Sequence, residues 1–190
     1  MKCQSIFEAA SIFAHSYNAS MEVYRSGAPV SVFANTLAQY YKADSFNGYF
    51  IGHSSPGINT SSIAAGTEKS VNFLNKQGVG HDLVMTHLRV EPFSEGAAAV
   101  WIVWKIRPHN ELEAWEWETL YGYRRDVNMT EQVASKNSES QLHVSDCDPD
   151  EVQTFENPDV RPDGWWEYTI TDNEIYSFAQ RVPNYLSSYS

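Results

Sequence analysis

Cysteine is scarce in this 190-residue chain, which holds only Cys3 and Cys147. One distant pair makes neither a disulfide framework nor a C-x-x-C metal or redox motif, so reduced thiols in a cytoplasmic protein are the expectation. Basic charge is scarce too. Thirteen Lys and Arg stand against 24 Asp and Glu, a net charge of −11. That balance argues against nucleic acid as a partner, because neutralising phosphates needs a basic surface. No apolar run approaches the roughly 20 residues that span a bilayer. The N-terminal stretch MKCQSIFEAASIFAHSYNAS is interrupted by Glu8 and His15, unlike a signal peptide, so no membrane association is expected. The sequence also lacks a glycine-rich phosphate loop, an H-E-x-x-H pair and any cluster of Cys and His. Neither a cofactor nor a metal is therefore expected.

What is present is unevenly distributed. Residues 131–163 carry nine Asp or Glu against one Lys and one Arg, which accounts for −7 of the total charge. This acidic, polar segment reads as a long insertion at about 127–163 within a single domain, either a mobile loop or a lid. Aromatic residues make up 14% of the chain, and such side chains build walls around flat ligands.

Ile6, Ala9, Ala10, Phe13, Tyr17, Met21 and Tyr24 recur at helical spacing and predict one helix from about Ser5 to Arg25. SGAP breaks it, and Pro29 opens a second helix over APVSVFANTLAQYY, the first turn being where proline is tolerated. SFNGYFIG reads as a short strand and HSSPGINTS as a loop. SSIAAGTEKSVNFLNKQG reads as a third helix stopped at Gly78. Beyond it the period changes to two, predicting strands at 81–93, 97–107, 113–125, 165–171 and 174–181, with SEG and TDNE as turns. Helices followed by strands predict an α+β domain with its helices on one face of a mostly antiparallel sheet.

The order of these stretches resembles the SnoaL-like family of the nuclear transport factor 2 superfamily. LAQYYKADSFNGYFIG is similar to that family's second helix running into its first strand, with Asp44 at the junction. LRVEPFSEGAAAVWIVWKI is similar to its acidic-Gly hairpin, and TLYGYRRD with GWWEYTITDNEI to its last long strands. The resemblance implies a cone-shaped α+β barrel, three N-terminal helices packed in a curved sheet, and a homodimer formed through that sheet. FAHSYNASMEVYR is also similar to the first helix of the scytalone dehydratases, with Tyr17 at the place of a pocket tyrosine. Asn18 departs from that pattern, standing where an aspartate belongs, and an amide takes up no proton at neutral pH.

A cone of this kind implies an enclosed aromatic pocket for a polycyclic or polyketide-like small molecule. Candidate substrate contacts are Asn18, Tyr41, Tyr49, His53, Trp104, Trp117 and Tyr121. His81, His87 and Tyr17 are the candidate catalytic residues: histidine changes charge near neutral pH, and a tyrosine hydroxyl steadies a carbonyl oxygen as it gains charge. Strict alternation along GHDLVMTHLRVEPF puts His81, Leu83, Met85 and His87 on one face. It fixes only relative facing, so the two imidazoles lie together inside or together outside. Glu118 is expected to meet solvent. The chemistry these residues would support is cofactor-free dehydration, isomerisation or cyclisation; the alternative is a non-catalytic ligand-binding or dimerisation module.

Overall fold

The structure, a computed structural model, describes residues 5–125 and 163–186. The acidic segment at about 127–163 lies almost entirely outside the described residues.

Helix α1 (Ile6–Ala19) begins with a reciprocal cap. Ser5 Oγ accepts from the Glu8 amide at 3.1 Å, and Glu8 Oε2 accepts from the Ser5 amide at 2.9 Å. This satisfies two of the amides that a helix start leaves without partners. The helix does not run on to Arg25 as expected. Ser20 turns its hydroxyl back onto the Tyr17 carbonyl at 2.6 Å, a side-chain bond that competes with the helix ladder, and a separate turn, α2 (Glu22–Arg25), follows. Helix α3 (Val30–Ala38) starts directly after Pro29. Helix α4 (Thr60–Lys76) is capped by Asn59, whose Oδ1 accepts from the Ser62 amide at 2.8 Å, and the chain turns away at Gly78 with a positive φ.

Six strands form one curved, unclosed sheet: β1 (Phe46–Phe50), β2 (His53–Ile58), β3 (Leu83–Ser94), β4 (Ala97–Ile106), β5 (Trp115–Arg124) and β6 (Trp165–Ile170). Their order is β2-β1-β6-β5-β4-β3. Only the β1–β6 pair is parallel. The expected α+β class holds, with two corrections. HSSPGI is an edge strand rather than a loop, closed onto β1 through a two-residue turn in which both Ile51 (φ 45°) and Gly52 (φ 73°) have positive φ. That is the turn geometry which suits the twist of a hairpin. The expected strand at 174–181 falls largely in a helix, α5 (Asp172–Ala179). Asp172 and Glu174 stand in its first turn, where the helix dipole favours acidic groups, and Ile175 and Phe178 bury one turn apart.

The concave face is read directly from two strands. Ala98, Val100, Ile102, Trp104 and Ile106 of β4 are buried, as are Trp115, Trp117, Thr119, Tyr121 and Tyr123 of β5. Helix α1 packs across β3 and β4, and α5 covers β5. On β3 the alternation breaks. Met85 pairs with Trp104 and His87 with Val103, leaving Thr86 as an extra, bulged residue. A bulge of one residue moves every later side chain to the other face relative to a strict count. Leu83, Met85 and Leu88 therefore point inward, while His87 lies exposed beside Val103 on the outer face.

Gly164 sets the entry to β6. Its φ is +112°, and a Cβ there would stand 2.5 Å from the Arg124 carbonyl oxygen and 2.5 Å from Tyr123 Cε2. The close approach lets the Tyr123 hydroxyl donate to the Asp163 carbonyl at 2.6 Å. Gly164→Ala adds both a backbone conformation that L-residues avoid and a clash with main chain. It is expected to cost about 2–4 kcal/mol, read as a lower midpoint in urea denaturation with an unchanged slope.

Candidate active site in the aromatic interior

Tyr17 projects from the buried stripe of α1 into a ring of aromatic side chains. Tyr40, Tyr41, Trp104, Tyr121 and Trp166 surround it at centroid distances of 5.2, 6.1, 5.8, 5.8 and 5.7 Å, all edge-on. Edge-to-face contacts of this kind place positive ring edges on negative faces and hold each ring in one orientation. The hydroxyls inside this shell find one another. Tyr17 and Tyr41 share a hydrogen bond of 2.7 Å, and the Trp104 indole donates to the Tyr121 hydroxyl at 3.2 Å. Burial, more than any neighbouring charge, pushes Tyr17, Tyr41 and Tyr121 well above the ordinary tyrosine range. All three are therefore neutral hydrogen-bond donors near pH 7.

Among the described residues, one half-buried carboxyl group borders this interior. Glu174 comes from the first turn of α5, whose Phe178 packs edge-on against Trp115 and Trp117 at 5.2 and 5.0 Å. Burial pushes Glu174 up to about 7, and the nearby Trp117 indole pulls the other way as a donor. That indole makes no hydrogen bond of ordinary geometry. The negative charge of Glu174 adds a smaller push in the same direction, making the hydroxyls of Tyr17, Tyr41 and Tyr121 weaker acids still. A carboxyl titrating near neutral pH can both take and return a proton. The hinge of α5 is fixed beside it: Ile51 donates its amide to Asp172 Oδ1, and Thr171 donates to the Tyr49 carbonyl at 3.0 Å.

The residues expected from the sequence divide into three groups. Tyr17, Tyr41, Trp104 and Tyr121 come together as described, and Trp117 lies on the same inward face of β5 but packs against Phe178. Asn18 lies beside them but is engaged elsewhere, its Oδ1 accepting from the Met85 amide at 2.9 Å just before the β3 bulge. Tyr49 and His53 do not join the group. Tyr49 is 42% exposed and rests against Tyr168 at 6.4 Å, while His53 is exposed on β2 beside Phe50. The expectation that His81 and His87 share a face is corrected by the bulge at Thr86, and neither imidazole approaches Tyr17. His81 precedes β3 and packs against Tyr24 and Phe33 at 5.8 and 5.4 Å. Its Nδ1 is buried without a partner, and desolvation lowers its pKa to about 4, so it is neutral at physiological pH. Glu118 is exposed, as expected.

Next to His81, its ring neighbour Tyr24 lines an open cleft of about 570 Å³, together with Arg25, Val30, Asn75, Asp82 and His109 among others. Its charges are mutually engaged: Asp82 accepts from Arg107 at 2.8 Å and pairs with Arg25 at 3.6 Å, while Arg25 also holds Glu22 at 2.6 Å. Among the described residues there is no group of three or more His, Cys, Asp or Glu placed to hold a metal ion. No described helix is long and apolar enough to cross a membrane.

No protein-family model and no curated protein matches the chain. Solved structures do. One is an NTF-2-like protein of unknown function from Shewanella oneidensis, 11% identical, with 83% of this chain and 93% of that one covered at a TM-score of 0.49. Another is a domain of unknown function with a cystatin-like fold from Nostoc punctiforme, 13% identical, covering 88% of this chain and 77% of that one at a TM-score of 0.49.

Sequence reasoning missed Glu174 and Thr119. Glu174 was hidden by the reading of 174–181 as a strand. The signal that could have found it was the pair Ile175 and Phe178 at helical spacing behind two acidic residues. Thr119 lies fully buried between Trp117 and Tyr121 on the inward face of β5, where alternation alone would have placed it.

Proposed function

We propose that this chain is a cofactor-independent acid–base enzyme of the isomerase or lyase type, acting on a small, flat, largely apolar carbonyl compound in the interior of an NTF-2-like cone. The observation that carries the reading is the half-buried Glu174 carboxyl, held up to about 7 at the border of an aromatic shell whose Tyr17, Tyr41 and Tyr121 hydroxyls feel its charge. Glu174 would take a proton from the carbon next to the carbonyl and return it elsewhere on the ligand. Tyr17, backed by Tyr41, would donate to the carbonyl oxygen as it gains charge, which lowers the barrier to the enol. In this reading Glu174 takes the role that the sequence pattern gave to His81 and His87.

The same fold serves a second reading, a ligand-binding or dimerisation module without turnover. The close ring packing around Tyr17 favours it, since rings in mutual contact stabilise the domain whether or not a ligand enters. The two readings separate in one assay. With 2-tetralone in deuterated buffer, the enzyme reading expects the protein to speed exchange of the protons beside the carbonyl. Glu174→Gln should remove about 10²–10⁴-fold of that acceleration, the usual worth of a positioned general base. Tyr17→Phe should lower the remainder again. Exchange no faster than in buffer, or undiminished in Glu174→Gln, would leave only the binding-module reading.

A further inference from the structure

Thr119 is the residue in this interior that the proton-transfer reading does not use. Its side chain is completely buried, and its hydroxyl has no hydrogen-bond partner. Leaving a buried hydroxyl unpaired costs about 1–3 kcal/mol, whereas valine fills the same shape without that cost. A purely structural position in a strand between Trp117 and Tyr121 would therefore favour valine. Its location is informative as well. The ladder between β5 and β6 ends at the pair Leu120–Ile170, so Thr119 stands next to the point where the chain turns into α5, the helix that carries Glu174. The Thr119 hydroxyl can both donate and accept.

We propose that Thr119 forms a polar subsite that binds a second oxygen of the substrate, a hydroxyl or keto group on the far side of the ring from the reacting carbonyl. The inference rests on the pocket reading given above. Tyr17 and Tyr121 take the reacting oxygen at one end, and Thr119 takes the second at the other. Thr119 and Tyr121 are two residues apart on one strand, a span of about 7 Å, comparable to the width of a fused two-ring system. The one carboxylate described at the border of this interior is Glu174, so a neutral oxygen suits the subsite better than an anionic one. The substrate class is thereby narrowed to uncharged, flat, ring-bearing molecules with oxygen functions at both ends.

The test compares 2-tetralone with 6-hydroxy-2-tetralone, which adds one hydroxyl at the far end, by calorimetric binding to the full chain and to Thr119→Val. The parent is expected to bind the hydroxylated ketone roughly fivefold to tenfold more tightly, the worth of one neutral hydrogen bond. Thr119→Val should erase that preference, bind 2-tetralone as the parent does, and unfold at an equal or higher temperature. Equal binding of both ketones by the parent overturns the subsite and leaves the proton-transfer reading intact. Equal weakening of both ketones by Thr119→Val, or a marked loss of thermal stability, assigns the hydroxyl to the fold and also overturns the subsite. Failure of the parent to bind either ketone overturns the subsite together with the pocket reading.

Discussion

Glu174→Gln is expected to make the protein more stable than its parent at about pH 8 and to leave stability unchanged at about pH 4. The sign follows from where the carboxyl titrates. Burial raises Glu174 from an ordinary 4.5 to about 7 in the folded chain, so between those values the native state holds a proton that the unfolded state has released. Stability from this group is complete below about pH 4.5 and is lost as the pH rises through about 7. Above that, the folded chain carries an ionised carboxylate in an aromatic environment, at a cost of up to about 3 kcal/mol. Partial access to water near the start of α5 reduces the figure, so a gain of about 2 kcal/mol for the amide is the expected result. The other groups that face Glu174 do not confuse the reading. Tyr17, Tyr41 and Tyr121 stay neutral through this range, Asp172 is bonded to the Ile51 amide, and Arg181 lies one helix length away over Trp115. Urea denaturation of both proteins at about pH 4, 6 and 8 measures the difference. A Gln variant no more stable than the parent at about pH 8 would mean that the carboxyl is solvated, and both the proton-transfer role and the interior position would fall with it. A protein that becomes more stable when a residue is neutralised, yet loses its chemistry, keeps that residue for function rather than for folding.

Much of the architecture could be read from periodicity, and the failures have specific causes. On β4 the even positions from Ala98 to Ile106 are apolar without exception, and they are the positions that form the concave face. Tyr17 lay on the helical stripe with Phe13 and is buried beside it. The edge strand β2 was concealed by Pro56, Gly57 and two serines, a composition that signals a loop; proline is nevertheless tolerated on an edge, where no partner needs its amide. Its turn was concealed as well, because Ile51 adopts a left-handed conformation that β-branched residues seldom take. Contact of its side chain with the core and the bond from its amide to Asp172 hold it there. On β3 the alternation argument was sound up to Met85 and failed at Thr86. Bulges insert a residue without changing composition, and one such residue separated His81 from His87 and removed the expected pair. The carboxyl that replaces them sits on α5, where the stretch 174–181 reads as a strand but begins in the acidic first turn of a helix. The site was thus legible in its aromatic walls and illegible in its titrating group.

Trp166→Ala should cost about 3–5 kcal/mol, the largest effect expected of any single side chain in the domain. Trp166 is fully buried and touches Phe13 at 4.8 Å, Tyr121 at 4.7 Å, Tyr17 at 5.7 Å and Tyr123 at 6.2 Å. It therefore joins α1 to β5 and β6 in a single cluster. Its main chain makes a second connection, donating to the Tyr40 carbonyl at 2.8 Å and accepting from the Lys42 amide at 2.9 Å, which ties the exit of α3 to the start of β6. Truncation leaves that main-chain tie but removes the filler between four aromatic rings, and rings this rigid cannot collapse into the space. Domains of this size are stable by about 5–15 kcal/mol, so the variant should show a much lower denaturation midpoint and a partly loosened interior. Trp166→Phe separates packing from polarity. It retains a ring against Phe13 and Tyr121 and removes an indole N–H that is buried without a partner, a group whose burial is itself unfavourable by about 1–3 kcal/mol. The Phe variant should consequently lose far less than the lost area alone implies, about 1–2 kcal/mol. If the Ala variant costs less than about 1 kcal/mol, or the Phe variant costs as much as Ala, the interior is not organised around this ring. The tyrosine hydroxyls would then lack the fixed frame that makes them useful donors to a ligand, since Tyr17 and Tyr121 hold their orientation through contact with Trp166.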